Sequence, residues 1–294
     1  MWVYLNHRFV PEAEATISPF DYGLLFGDGL FETLRAYGGT IFRLDAHLER
    51  LQCGAARLEI PLPTSDLLAS ILYQTLQRNG LREAILRLTV TRGTGKPGLH
   101  PASCRAPTLI ATARPLPNRP QTPQSGLSAV VVNIRRNPPQ ALDPAIKSTN
   151  FLNNVLAKLE ADRRGVDDGI FLNLDGALTE TTTGNLFWVT GGRLKTPALS
   201  AGLLNGITRQ VVIALADAEG IQVEEGIYNA EDLYRADEAF VTSTGAEIVP
   251  LIRVDDRMIG CGAVGPTTQR LQQAFRRQVE AECFRSDCSV DSML

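Results

Sequence analysis

Lys147 begins the run Lys-Ser-Thr-Asn-Phe-Leu-Asn-Asn-Val-Leu-Ala-Lys, and a short way downstream Glu180 lies in Leu-Thr-Glu-Thr-Thr-Thr-Gly-Asn-Leu-Phe. A lysine amine can condense with an aldehyde, and a carboxylate held on a strand can pair with a protonated ring nitrogen. Taken singly, each has an ordinary reading: Lys147 as a solvated lysine, Glu180 as an exposed strand carboxylate. Other features join them. Gly206-Ile207-Thr208 sits where a loop enters a helix, and the amides and positive dipole end of a helix start favour an anion, with the Thr208 hydroxyl beside them. Thr242-Ser243-Thr244-Gly245-Ala246 follows the apolar strand end Ala239-Phe240-Val241 and offers further hydroxyls and amides. Arg50 adds a cation. An amine for an aldehyde, an acid for a pyridine nitrogen, and a cation with a helix start for a phosphate make one coherent set.

Several elements must position these groups. Trp2 to Leu5 reads as a strand, and Leu30 to Tyr37 as another after the turn Gly27-Asp28-Gly29. Leu44, Leu48, Leu51, Ala55 and Leu58 recur at helical spacing, with His47 and Arg50 on the flank of that stripe. A second helix is expected from Ser65 to Arg78, stopped by Asn79-Gly80. In the strand Ile85 to Thr91, Leu86, Leu88 and Val90 form a core face, and Arg87, Thr89 and Thr91 form a polar one. The prolines between Pro115 and Gly126 read as a linker, which sets domains at 1–116 and 127–294 around a connection at 117–126. Beyond it, Leu127 to Ile134 is a continuous apolar strand. A helix after Lys147 carries Phe151, Val155 and Leu159 on one face and ends at Gly165. Hairpins are expected at Asp175-Gly176 and Gly191-Gly192, and helices from Thr208 to Glu219 and from Gly265 to Glu282. The helix at Thr208 is expected to bury Ile207, Val211, Ala214, Leu215 and Ala218.

Composition narrows the partners. With 294 residues the chain suits two domains, and a formal net charge of -3 provides no concentrated positive field for nucleic acid. Cys53, Cys104, Cys261, Cys283 and Cys288 are odd in number and scattered, without metal-ligand spacing, so reduced thiols and no metal are expected. No apolar run approaches a membrane span, and no signal-peptide pattern opens the chain, so a cytoplasmic protein is expected. Gly93-Thr94-Gly95-Lys96-Pro97 is not a nucleotide loop, because its glycines are too close and proline replaces the magnesium-binding hydroxyl.

His47-Leu-Glu-Arg50-Leu, Ile146-Lys147-Ser, Asn150 to Ala157, Thr179-Glu180, Asn185-Leu-Phe187, Gly206-Ile-Thr-Arg209 and Thr242 to Pro250, in this order over nearly the whole chain, resemble the class IV aminotransferases. These are the fold-type-IV pyridoxal phosphate enzymes: branched-chain and D-amino acid aminotransferases, R-selective amine transaminases and aminodeoxychorismate lyases. The resemblance implies an α/β (α+β) protein with a smaller N-terminal domain and a larger, sheet-rich C-terminal one. It also implies a homodimer and ping-pong transfer of an amino group between an amino acid and a 2-oxo acid. Residue by residue, it implies that Lys147 forms the covalent link to pyridoxal 5'-phosphate and moves the proton. Glu180 would pair with the ring nitrogen, and Arg50, Ile207, Thr208 and Thr244 would hold the phosphate. Phe31, Arg87, Lys96, Gly245 and Ala246 fall on the substrate side. Branched-chain members carry tyrosines where this chain has Ile85 and Phe151, and the D-amino acid group places its carboxylate-binding arginine and histidine where this chain has Gly95 to Leu99. Arg87, Lys96 and His100 are the substitutes at hand. The glycine-rich loop is also similar to the lyases, whereas Thr242 to Pro250 is similar to the transaminases.

Overall fold

The computed structural model describes residues 1–116 and 126–284; the expected linker at 117–126 therefore lies, apart from Gly126, outside the described residues. The chain divides into two units: Met1–Pro117 with Ile146–Phe151 and Gln278–Leu294, and Asn118–Ala145 with Leu152–Arg277.

The first unit contains β1 (Trp2–Leu5), β2 (Arg8–Pro11), α1 (Tyr22–Phe26), β3 (Gly29–Tyr37), β4 (Thr40–Ile41), α2 (Leu44–Leu58), α3 (Ser65–Arg78), β5 (Ala84–Thr91) and β6 (Thr108–Pro115). Its six-stranded antiparallel sheet has the order β2-β1-β6-β5-β3-β4. Period-2 patterning decides which face is covered: Leu86, Leu88 and Val90 of β5 join Leu30, Leu34 and Ala36 of β3 under Leu48, Leu51 and Ala55 of α2 and Leu68, Leu72 and Leu76 of α3. Burying each leucine contributes about 1.5–3 kcal/mol. Pro115, assigned to the linker from its neighbours, instead ends β6 opposite Ala84, at a strand terminus where a missing N–H is tolerated.

Lys147 lies on an extended segment ahead of the helix expected after it. Residues 146–149 run extended along β3: Phe31 N donates to Lys147 O at 3.0 Å, Thr149 N donates to Gly29 O at 2.8 Å, and Ser148 pairs with Leu30. β4 pairs only with Ala36 and Tyr37 of β3, so these bonds satisfy backbone groups at the other end of that edge. The close approach needs Gly29, where a Cβ would stand 2.7 Å from Val90 O and 3.1 Å from Thr149 Oγ1.

The second unit contains β7 (Leu127–Val131), α4 (Leu152–Arg163), β8 (Asp168–Leu172), β9 (Leu178–Thr181), β10 (Asn185–Thr190), β11 (Arg193–Pro197), α5 (Ile207–Ala218), β12 (Val223–Gly226), α6 (Ala230–Tyr234), β13 (Glu238–Ser243), β14 (Glu247–Val254), β15 (Arg257–Met258) and α7 (Pro266–Cys283). The strand path is β12-β11-β10-β13-β14-β7-β8-β9, and β9 returns to β10 through the pair Glu180 and Asn185. Six of the strands thus close a ring around Trp188, Leu186, Val241, Val249 and Ile170. Gly191 and Gly192, both at positive φ, make the expected two-residue turn between Thr190 and Arg193. At Asp175-Gly176 the hairpin is wider: Asn173 N donates to Ala177 O, enclosing three residues. β7 is shorter than expected, because the Glu160 carboxylate takes the Asn133 amide and the chain bends there.

α4 buries a different face from the one expected, and α5 only part of its expected one. In α4, Asn154, Ala157 and Ala161 are buried, the alanines against Val130, Val132 and Phe171, while Leu152, Val155, Leu156 and Leu159 are 42–63% exposed. Small alanines let the helix sit close to the sheet, and the larger apolar stripe is left outward. In α5, Val211, Val212 and Ala216 face inward with Ile207 and Thr208, and Ala214 and Ala218 face solvent.

Candidate active site

Phe31 organises the surroundings of Lys147. The Lys147 Nζ lies 4.6 Å from the centre of its ring and the Arg87 guanidinium carbon 3.8 Å, and the Phe151 ring meets it edge-on at 5.5 Å. An aromatic face attracts both cations and holds two positive groups near one apolar surface. Arg87 Nε also donates to Thr89 Oγ1 at 3.2 Å on the polar face expected for β5. Lys96 is exposed on the loop after β5, and its backbone carbonyl accepts from the buried Tyr22 hydroxyl at 2.8 Å, as does that of Gly98. The ring of Phe31 thus gathers Lys147 and Arg87, and the loop of Lys96 is organised by a different aromatic residue.

Arg50 does more than cover apolar surface. Its Nε donates to Glu32 Oε1 at 2.7 Å and its Nη2 to Glu32 Oε2 at 2.6 Å, a side-on bidentate pair. His47 Nδ1 meets Glu32 Oε2 at 2.8 Å. Burial alone would raise the Glu32 carboxyl, but attraction to Arg50 and hydrogen bonds from His47 and Arg50 outweigh it and hold Glu32 at about 2. Burial pushes His47 below its usual value against the pull of Glu32, so the imidazole is neutral at pH 7 and donates through Nδ1. Glu32 had no role in the sequence reading. Its signal was there: Leu30, Glu32, Leu34 and Ala36 share one strand face, and a carboxylate among core residues needs a partner.

Glu180 is buried. On β9 all four residues are covered, and Glu180 is 5% exposed. Its Oε1 accepts from Arg136 Nε at 2.7 Å and its Oε2 from Leu204 N at 3.1 Å. Arg136 Nη1 donates to Asn153 Oδ1 at 3.0 Å, and Asn154 Nδ2 donates to Thr182 O at 2.8 Å. The asparagines after Lys147 therefore hold the arginine that pairs with Glu180. Arg136 was missed, since it follows an apolar strand in Arg135-Arg136-Asn137 with no periodic or motif signal.

Asn185 and Thr242 stand beside Glu180 on the adjoining strands, paired in register across β9, β10 and β13. Asn185 Nδ2 donates to Leu204 O at 2.9 Å, so the Leu204 residue is held at both its N–H and its C=O. The Thr242 hydroxyl is buried without a hydrogen-bond partner, an arrangement that calls for a polar group yet to be supplied. α5 packs on β13 and starts at Gly206 with no side-chain cap, leaving its first amides, including those of Ile207 and Thr208, to an external acceptor. Gly206 is required by space: a Cβ there would lie 2.0 Å from Asn185 Oδ1. Thr244, Gly245 and Ala246 form the half-buried turn between β13 and β14, closed by Ala246 N donating to Ser243 Oγ at 3.3 Å.

Comparison with known proteins identifies the family. The chain is 46% identical to the putative branched-chain-amino-acid aminotransferase of Methanocaldococcus jannaschii over 94% of this chain and 96% of that one. It is 34% identical to the aminodeoxychorismate lyase of Bacillus subtilis over 95% of this chain and 94% of that one. Among solved structures, it resembles the branched-chain aminotransferase of the archaeon Thermoproteus uzoniensis with norvaline at a TM-score of 0.89 and 34% identity, covering 96% and 95% of the two chains. The family described as Amino-transferase class IV matches residues 29–254, a span that holds Lys147, Glu180, Arg50 and the start of α5, and the chain is an enzyme belonging to that family.

Proposed function

We propose that the chain is a pyridoxal 5'-phosphate-dependent aminotransferase in which Lys147 is the covalent anchor and proton carrier, and that its amino donor is a branched-chain amino acid. The observation that carries the reading is Glu180: a buried carboxylate paired with Arg136 and set on a strand, the group type that suits a protonated ring nitrogen. The residues present fit the cofactor. An uncapped helix start at Gly206 and the orphaned Thr242 hydroxyl suit an anion and its neighbouring polar groups, and Lys147 and Arg50 supply the amine and the cation. The similarity to an enzyme solved with norvaline supports an aliphatic donor.

When bound, the cofactor supplies the electron sink that makes the α-proton of an amino acid removable. This chain's residues do the rest. With the cofactor bound, the Lys147 amine would be the base that carries that proton, its backbone being fixed on β3. Glu180 would pair with the ring nitrogen, its Oε1 held by Arg136 Nε and its Oε2 by Leu204 N. Arg50, the Ile207 and Thr208 amides, the Thr208 hydroxyl and Thr244 bind phosphate. Arg87, stacked on Phe31, serves the substrate carboxylate, Lys96, Gly245 and Ala246 are the further substrate-binding candidates, and Phe31 and Phe151 give an apolar wall for an aliphatic side chain.

The direct test is a half-reaction. Cofactor-loaded protein mixed with L-leucine is expected to lose its visible absorbance and gain that of the pyridoxamine form, releasing the keto acid. Aminodeoxychorismate lyase activity is the second reading, favoured by the Bacillus subtilis relative. Release of pyruvate and aminobenzoate from aminodeoxychorismate, with no absorbance change from L-leucine or D-alanine, would establish it instead.

The same reading includes a homodimer in the cytoplasm. The outward stripe Leu152, Val155, Leu156 and Leu159 supports a self-association surface. Among the described residues no helix is long and apolar enough to cross a membrane. Sedimentation equilibrium should return twice the 32.0 kDa chain mass, and a mass of one chain would contradict the dimer.

A further inference from the structure

We propose that Glu32 and His47 are positioning residues for cofactor binding, which hold the Arg50 guanidinium in the one orientation that presents its outer edge to a phosphate. The proposal rests on the reading that Arg50 binds the cofactor phosphate. Glu32 is fully buried and His47 1% exposed, while the Arg50 side chain is 13% exposed, so the arginine is the member of the trio that reaches the surface. Both partners stand on rigid elements: Glu32 on the core face of β3, and His47 three residues before Arg50 on α2, where that spacing puts them on one helix face. Glu32 takes Nε and Nη2 with its two oxygens, and His47 fixes Oε2 from the other side.

A guanidinium offers five N–H donors in a planar fork, and a side-on carboxylate uses one edge of it. The opposite edge, with Nη1, then points away from Glu32 in a set direction. A carboxylate beside a phosphate-binding arginine weakens its long-range pull on an anion. In return, it removes the rotamer freedom that a long side chain would lose on binding. Neutral His47 donates without adding charge, so the trio is electrically balanced and selects by direction of N–H groups.

The experiment compares pyridoxal 5'-phosphate with pyridoxal, which lacks the phosphate, by absorbance titration of the cofactor-free protein. Glu32→Gln is expected to weaken pyridoxal phosphate binding by about tenfold or more, the scale seen when outer partners of a ligating group are lost, with pyridoxal affinity unchanged. A general loss of structure would weaken both. His47→Gln should show a smaller loss with the same selectivity, and it stands in if Glu32→Gln fails to fold. Arg50→Lys separates positioning of the guanidinium from binding of the phosphate. If Arg50→Lys loses the phosphate preference while Glu32→Gln and His47→Gln keep it, positioning by Glu32 and His47 is wrong. If Arg50→Lys keeps it too, the assignment of Arg50 to the phosphate is wrong.

Discussion

Lys147→Ala protein is expected to fold as the parent does and to lose at least about four orders of magnitude in kcat, since positioned proton transfer alone contributes roughly 10²–10⁴-fold and the covalent anchor is lost with it. The fold should survive because the structural bonds of this segment run through its backbone: Lys147 O accepts from Phe31 N, Ser148 pairs with Leu30, and Thr149 N reaches Gly29 O. Removing the side chain leaves these in place and costs the contact with Phe31, so a stability change of about 1 kcal/mol or less is expected. Turnover with L-leucine and 2-oxoglutarate, together with thermal unfolding, separates the two effects. Turnover at the parent rate would show that the proton carrier lies elsewhere.

Glu180→Gln is expected to lower turnover by about 10²–10³-fold, because an amide cannot hold a ring nitrogen protonated, and the catalytic effect of such a tuned group falls in that range. It should also destabilise the protein by about 3 kcal/mol, since Arg136 is 9% exposed at its side chain and would become an unbalanced buried charge. The two losses separate in a second variant. Changing Arg136 to Met in the Glu180→Gln background removes the stranded cation, so much of the stability should return while turnover stays low. Recovery of turnover in that double variant would mean that Glu180 acts only as a structural partner of Arg136. Chemical denaturation and steady-state kinetics on the same samples give both readings.

Much of the fold was legible because burial writes a period into a chain. β5 shows it plainly: Leu86, Leu88 and Val90 alternate with polar residues and all three are fully buried. α3 was readable at both ends, running from Ser65 to Arg78 and stopping at Asn79-Gly80 as expected, while its Thr64 cap, which accepts from Leu67 N, was not. Periodicity announces an apolar stripe without saying what covers it, and in α4 the stripe that stands out is the exposed one. Lys147 was identifiable by its neighbours, but its extended backbone was not, because that state comes from pairing with β3 over a hundred residues earlier. A local helix signal cannot anticipate a strand edge that remote. Arg136 was illegible for the same reason, being defined by Glu180, 44 residues away. Glu32 differs, since its place among Leu30, Leu34 and Ala36 made a buried partner necessary.

The central claim is that Lys147 carries the cofactor, and the sequence makes it unusually easy to check, because the chain has four lysines: Lys96, Lys147, Lys158 and Lys195. Lys158 is an exposed partner of Asp162 and Lys195 faces Glu224, so neither has the setting of Lys147 beside Phe31. Borohydride reduction of the cofactor-loaded protein followed by peptide mass analysis should place the cofactor mass on Lys147 alone; the same mass on Lys96, Lys158 or Lys195, or on no lysine, would contradict it.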